Sequence, residues 1–153
     1  MRISAKVDYA VRAAIELACA ANEERPVKAE AISRAQDIPP KFLENILNDM
    51  RHGGLVRSQR GSEGGYRLAR PPQEITIADV IRVVEGPMAS VRGGRPEDVA
   101  YAGSAEPLQR VWIAVRSALR EVCEHVTLAD LARGKLPAPV ERLVRAPDAW
   151  ITR

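Results

Sequence analysis

The sequence predicts a mainly α-helical protein with one small β-hairpin, and three observations in its 153 residues carry that reading. Apolar residues recur with the 3.6-residue helical period in successive segments of the chain. Alternation of the strand type is confined to Leu55–Gln59 and Gly65–Ala69, which flank a glycine-bounded loop. The longest periodic stretch, Glu106–Val126, stands apart behind a segment rich in glycine and proline.

Ser4 is placed to cap a first helix whose positions Val7, Ala10, Val11, Ala14, Ile15 and Ala18 share one side. Asn22–Pro26 ends it. A short second helix, about residues 28–35, is expected to bury Ile32 and Ala35. Asp37-Ile38-Pro39-Pro40 must interrupt the helix, because proline removes a helical donor and biases the preceding residue away from helix. Pro40 is acceptable in the first turn of the next helix. In that third helix, Pro40–His52, the residues Phe42, Leu43, Ile46, Leu47 and Met50 fall on an apolar side. Lys41, Glu44, Asn45, Asn48 and His52 gather opposite them. Gly53-Gly54 stops the helix by offering a left-handed C-terminal position.

In the hairpin, Val56, Tyr66 and Leu68 are expected on the inner face, with Arg57, Gln59 and Arg67 pointing outward. Thr76, with Asp79 three residues later, caps a fourth helix whose stripe is Ile77, Val80, Ile81 and Val84. Residues 86–105 read as a long loop, of a length that often serves function. The following helix carries Leu108, Trp112, Val115, Leu119, Val122 and Val126, alternately four and three residues apart, as in a coiled-coil seam. Thr127 caps a short helix ending at Gly134, and a proline-punctuated tail follows. The expected organisation is therefore 1–85, a connecting and possible sensor loop at 86–105, a dimerisation helix plus short helix at 106–134, and a tail at 135–153.

Charge is distributed unevenly. Residues 1–70 hold 12 Lys/Arg against 9 Asp/Glu, the whole net charge of +3, while 71–153 hold 11 of each. Arg51–Arg70 alone carries five arginines against Glu63. A local basic block on a near-neutral chain points to a polyanionic partner. Cys19 and Cys123 are the only cysteines, His52 and His125 the only histidines, and neither pair has metal-ligand or disulfide-framework spacing. Cys19 reads as a small buried residue, Cys123 as core, and Asp8 as a surface acid. No nucleophile–base pair is recognisable, and Gly61–Gly65 joins two strands where a phosphate loop would open a helix. An enzyme is not expected. No apolar run approaches the roughly 18 residues of a membrane span. Lys6, Asp8, Arg12 and Glu16 break the stretch a signal peptide would need, so the expected location is cytoplasmic.

Helix, helix, tight turn, helix and basic hairpin is the order of a winged helix-turn-helix, here extended by a long C-terminal dimerisation helix. One helix of such a domain offers polar side chains to base edges, and the hairpin's arginines meet phosphates or the minor groove. Glu44 suits a cytosine amine, Asn45 an adenine, and Lys41 and Arg51 phosphates or guanine. Three segments, SAKVDYAVRAAIELA, IPPKFLENILNDMRHGGLVRSQRGSEGGYRLAR and ITIADVIRVVEG, resemble the Rrf-two (Rrf2) family of bacterial winged-helix regulators. The resemblance implies that Pro40, Lys41, Phe42, Glu44 and Asn45 face an operator and that Arg60 enters the minor groove. Lys28, Asn48, Arg51, Arg57, Gly61 and Arg67 complete the candidate DNA-facing set. It also implies a homodimer, and repression as the commoner mode. Cluster-binding members of the family carry three cysteines in the loop that corresponds to 86–105; this loop has none, so no iron–sulfur cluster or other cofactor is expected. The expected partners are double-stranded DNA, a second copy of the chain and an unidentified effector, with no membrane. The alternative is a winged-helix module that docks a protein and does not read DNA.

Overall fold

Over residues 2–23 and 25–152, which the computed structural model describes, the chain forms seven α-helices and one antiparallel hairpin. In chain order these are α1 (Ala5–Cys19), α2 (Ala29–Gln36), α3 (Pro40–His52), β1 (Val56–Gln59), β2 (Gly65–Leu68), α4 (Ile77–Val84), α5 (Leu108–Cys123), α6 (Leu128–Ala132) and α7 (Ala138–Val144). α1 is the central element and packs against α2, α3, α4 and α6. Its buried Ala10, Ala13, Ala14 and Ala18 let those helices approach closely, while Leu17, Ile32, Leu43 and Leu47 fill the space between them. Ser4 caps α1 as its sequence predicts, accepting from the Val7 N–H at 3.2 Å.

The turn between α2 and α3 is made by Asp37 in the left-handed conformation, φ 49° and ψ 49°. Ile38 closes it: its N–H donates to the Ser33 carbonyl at 3.0 Å, and Ser33 Oγ donates to the Ile38 carbonyl at 2.7 Å. Ile38 thus fills the core beneath the last turn of α2, and Ala35, expected inside, is exposed. At the far end of α3 the stop matches its sequence signal. Gly54 takes φ 73°, the Leu55 N–H reaches the Met50 carbonyl at 2.9 Å and the Gly54 N–H the Arg51 carbonyl at 3.1 Å, a Schellman closure.

The hairpin registers Val56 with Leu68, Arg57 with Arg67, and Ser58 with Tyr66. Two strands alone are marginal in water. Here a third segment joins them, through Val27 N–H to the Tyr66 carbonyl at 2.9 Å and Tyr66 N–H to the Val27 carbonyl at 2.8 Å. This close approach requires Gly65, because a Cβ there would lie 2.4 Å from the Val27 carbonyl oxygen. Gly65→Ala is expected to destabilise the domain by about 2 kcal/mol by prising the hairpin off this segment. Urea unfolding checks it; an unchanged midpoint would show that the hairpin is not held there.

α6 returns from beyond α5 to close the core against α1. The Ile77 N–H donates to the Val126 carbonyl at 3.0 Å and the Leu128 N–H to the Ile75 carbonyl at 2.8 Å. Paired capping boxes, Thr76 with Asp79 and Thr127 with Asp130, flank this bridge. Val126 is therefore buried at 2% exposure, outside α5, and cannot belong to a dimer seam. Backbone hydrogen bonding from Thr127 holds the Asp130 carboxyl below its ordinary pKa. A carboxyl depressed in the folded state contributes stability that is present above its unfolded pKa, near 4, and lost as pH falls through the folded value. Asp130→Asn should consequently lower the urea midpoint at pH 7, and the difference should fade in acid as pH falls through the folded value. A difference that persisted there would exclude the carboxylate as its source.

Residues 86–105 are not a bare loop. Single helical turns form at Pro96–Asp98 and Gly103–Ala105, and Arg92 and Gly93 (φ 53° and 80°) make a tight turn closed between Val91 and Gly94. Trp112 Nε1 donates to the Tyr101 hydroxyl at 3.1 Å, Gln109 Nε2 to the Glu97 carbonyl at 3.0 Å, and Arg116 pairs with Glu97, fastening the segment to α5. The tail likewise contains a helix, α7, that its prolines obscure, with Val140 buried and Pro137 at its N-cap.

Candidate nucleic-acid interface

α3 buries Leu43, Ile46, Leu47 and Met50 and turns Glu44, Asn45, Asn48 and Arg51 to the outside. The hairpin stands beside this polar row, and the two enclose an open groove of about 990 Å³. Lys28 and Glu30 at the start of α2 line its far side, and Arg60 and Gly61 at the hairpin tip close it. Gly61 has φ 103°, a value that a side chain would resist, so the tip turn depends on it.

Among the side chains that line the groove, Lys28, Arg51 and Arg60 outnumber Glu30 and Glu44, and the acids around it are paired. Asp49 on the flank of α3 is occupied by Lys6 at 2.7 Å, and Glu63 at the hairpin tip by Arg25 at 3.3 Å. Lys28, Lys41, Arg57 and Arg60 have no acidic partner among the described residues. Arg51 makes one contact, Nη2 to Asn48 Oδ1 at 2.9 Å, a bond between two exposed side chains of the row. Glu44 faces the groove without a basic partner among the described residues.

Of the residues singled out from the sequence, Lys28, Glu44, Asn45, Asn48, Arg51, Arg60 and Gly61 come together in the groove. Pro40, Lys41 and Phe42 are exposed at the start of α3, beyond its edge. Phe42, which the helical wheel places on the apolar side, is 56% exposed and packs T-shaped with the Tyr9 ring, at 6.2 Å between centroids. A side chain in the first turn leans toward the helix N-terminus and so overhangs the end of the core. Arg57 and Arg67 sit opposite each other on the hairpin and do not line the groove. Arg67 is turned to the back, where it donates to the Glu23 carbonyl at 2.6 Å and borders a smaller cleft with Arg25 and Arg70. Ser58, Ser62 and Tyr66 also line the groove; none carries charge, so none stands out from the sequence as a groove residue.

On α5, no residue is buried. Leu108, Trp112, Val115, Leu119 and Val122 are all half-buried by their own chain, with Trp112 and Val115 facing Met88, Val91 and Pro96 across an apolar pocket of about 380 Å³. Val111 is 50% exposed and Ala118 is exposed. At 3.6 residues per turn these two lie roughly 90° from the row Leu108, Trp112 and Leu119. Cys19, expected inside, is exposed on the last turn of α1, to one side of the Ala14–Leu17–Ala18 row. Burial pushes the half-buried Cys123 thiol up in pKa, with Glu124 adding to the shift.

A row of polar side chains on a supported helix, beside a cationic hairpin, is the arrangement that reads DNA in a winged helix. Known proteins agree with that geometry. The profile of the Rrf2 family, described as an iron-dependent transcriptional regulator, matches residues 3–134. A Mycobacterium tuberculosis protein, Rv1287, described by type as an HTH regulator, is 52% identical over 94% of this chain and 88% of its own length. The regulator CymR of Bacillus subtilis is 38% identical over 86% of this chain and 90% of its own. Its solved structure superposes with a TM-score of 0.74 at 36% identity, covering 88% of this chain and 98% of that one. T. potens IscR superposes with a TM-score of 0.71 at 34% identity, covering 88% of each. Seen with the groove between α3 and the hairpin, these matches place the chain in the Rrf2 family of winged-helix transcriptional regulators.

Proposed function

We propose that the protein is a homodimeric, sequence-specific repressor that binds a near-palindromic operator in the cytoplasm. The observation that carries the reading is the groove itself: α3 offers Glu44, Asn45 and Asn48 for base edges, while Lys28 and Arg60 stand unneutralised for phosphates or the minor groove. Dimerisation is supported by α5, a 16-residue amphipathic helix with no residue fully covered by its own chain. A second copy related by a two-fold axis is the simplest cover, and it would set two α3 helices toward successive major grooves, about 34 Å apart. The contact row we assign is Val111 and Ala118, flanked by the open edges of Val115 and Val122. Trp112, which lines the pocket against Met88, Val91 and Pro96, and the half-buried Leu108 and Leu119 lie to one side of that row. Residues 86–105, fastened between the DNA-binding half and α5, are the segment through which an effector would act.

The family description names iron, and the residues of this chain do not fit an iron–sulfur cluster. Clusters are held mainly by cysteine thiolates. Residues 86–105 contain neither cysteine nor histidine, and among the described residues no group of three His, Cys, Asp or Glu is placed to hold a metal. Asp8, exposed and paired with Arg12 at 3.0 Å, has no thiolate near it to complement. Protein purified anaerobically should lack absorption bands between roughly 320 and 450 nm; bands scaling with bound iron would refute this reading.

Fluorescence anisotropy with labelled promoter fragments and unlabelled random duplex as competitor, at two salt concentrations, tests the proposal. The expected result is binding that weakens with salt and beats random DNA by about a thousandfold or more. Equal affinity for both would remove the sequence-specific claim.

A further inference from the structure

We infer that Asn48 and Arg51 act on DNA as one unit that reads a guanine in each half-site, with Asn48 positioning the Arg51 guanidinium. The inference rests on the reading of α3 as the DNA-reading helix. Arg51 Nη2 donates to Asn48 Oδ1 at 2.9 Å. A guanidinium has no acceptor, so only the carbonyl oxygen of the amide can make this contact, whichever way the amide is drawn. The two residues are three apart on one helix face, both are exposed, and both line the groove.

What the pair turns outward is therefore donors: the remaining N–H groups of Arg51 and the Nδ2 amide of Asn48. In the major groove guanine offers two adjacent acceptors, O6 and N7. Adenine sets a donor beside its one acceptor, cytosine offers a donor, and thymine a single acceptor. A restrained guanidinium is of use where direction matters, as on a base edge. It gains little toward a phosphate, whose oxygens accept over a wide range of angles.

Glu44 extends the argument along the helix. Glu44, Asn48 and Arg51 fall at i, i+4 and i+7, a single row whose first member only accepts, whose last only donates, and whose middle amide spends an acceptor lone pair on Arg51. Seven residues at a rise of 1.5 Å span about 10 Å, close to three base-pair steps. Each half-site should accordingly hold a cytosine amine near Glu44 and, about three steps along, a guanine edge near Arg51.

Selection of bound duplexes from a random library by the full chain, followed by affinities for the selected duplex and its single-base variants, tests this. The unmodified protein is expected to enrich guanine at one position per half-site and to prefer it over adenine by about ten- to a hundredfold. Arg51→Ala and Asn48→Ala should both lose that preference, at the same position, while the other positions stay selective. Asn48→Asp keeps an acceptor for Arg51 and should retain it. Replacing that guanine by 7-deazaguanine, which lacks the N7 acceptor, should weaken the unmodified protein and leave Arg51→Ala unaffected. Affinity lost in both alanine variants with the guanine preference intact would assign the pair to phosphates and overturn the inference. Relaxation at different positions in the two variants would overturn it too. If the unmodified protein enriches no sequence, the reading of α3 fails, and the inference with it.

Discussion

Charging the open row of α5, with Val111→Lys and Ala118→Lys together, is expected to yield monomers whose operator affinity falls by roughly 10²–10⁴-fold. The magnitude follows from linkage of two half-site contacts: once one α3 is seated, the second binds at the effective concentration set by the dimer. Both positions are exposed in the single chain, so the substitutions leave its own core untouched. Sedimentation velocity and anisotropy on the same preparation check the result, with circular dichroism to confirm that helix content is unchanged. Leu119→Lys is the contrasting variant. Leu119 is half-buried by its own chain, so its substitution should lower the unfolding midpoint, which the Val111 and Ala118 variants should not. An intact dimer carrying both lysines would displace the proposed contact row.

Reversing the charge of the hairpin tip, Arg60→Glu, is expected to weaken operator binding about tenfold per hairpin and so about a hundredfold for a dimer. Arg60 has no partner among the described residues and lines the groove, so nothing in the folded domain depends on its charge. The informative control is Arg57→Glu. Arg57 is equally exposed and equally unpaired, yet it lies outside the groove, opposite Arg67. Its reversal should cost clearly less affinity than that of Arg60. A loss of the same size for both would show that the general positive field, and not the shape of the groove, sets the binding.

What could be read from the residues divides by the range of the interactions involved. The ends of α3, the threonine caps of α4 and α6 and the two hairpin strands depend on contacts within a few residues: Gly54 past the last turn, Thr76 and Thr127 at their N-caps, and alternation either side of Arg60–Gly64. Those features matched their sequence signals. The misplacements of Val126, Ala35 and Phe42 have the opposite character. Val126 continues the spacing of α5 without a break, and only its bridge to Ile75–Ile77, some fifty residues earlier in the chain, takes it out of the helix. Periodicity finds an apolar side but not which chain covers it: of the expected seam, Trp112 and Val115 face Met88, Val91 and Pro96 of their own chain. The groove had the same mixed legibility. Its charged and amide residues stand out individually, whereas the turning of Arg67 to the Glu23 carbonyl and the bond between Asn48 and Arg51 are set by the folded chain.

A hydroxyl-radical footprint of the protein on an operator duplex tests the central claim most directly, because it reports where on the DNA each copy sits. Two α3 helices held by one two-fold dimer predict two equivalent protected patches related by dyad symmetry, with centres about one helical turn, 10 to 10.5 base pairs, or a multiple of it apart. Minor-groove protection flanking each patch is expected from Arg60 and should fade in Arg60→Glu while the patch centres stay in place. A single unpaired patch, or protection spread evenly along the duplex at every protein concentration, would contradict the account.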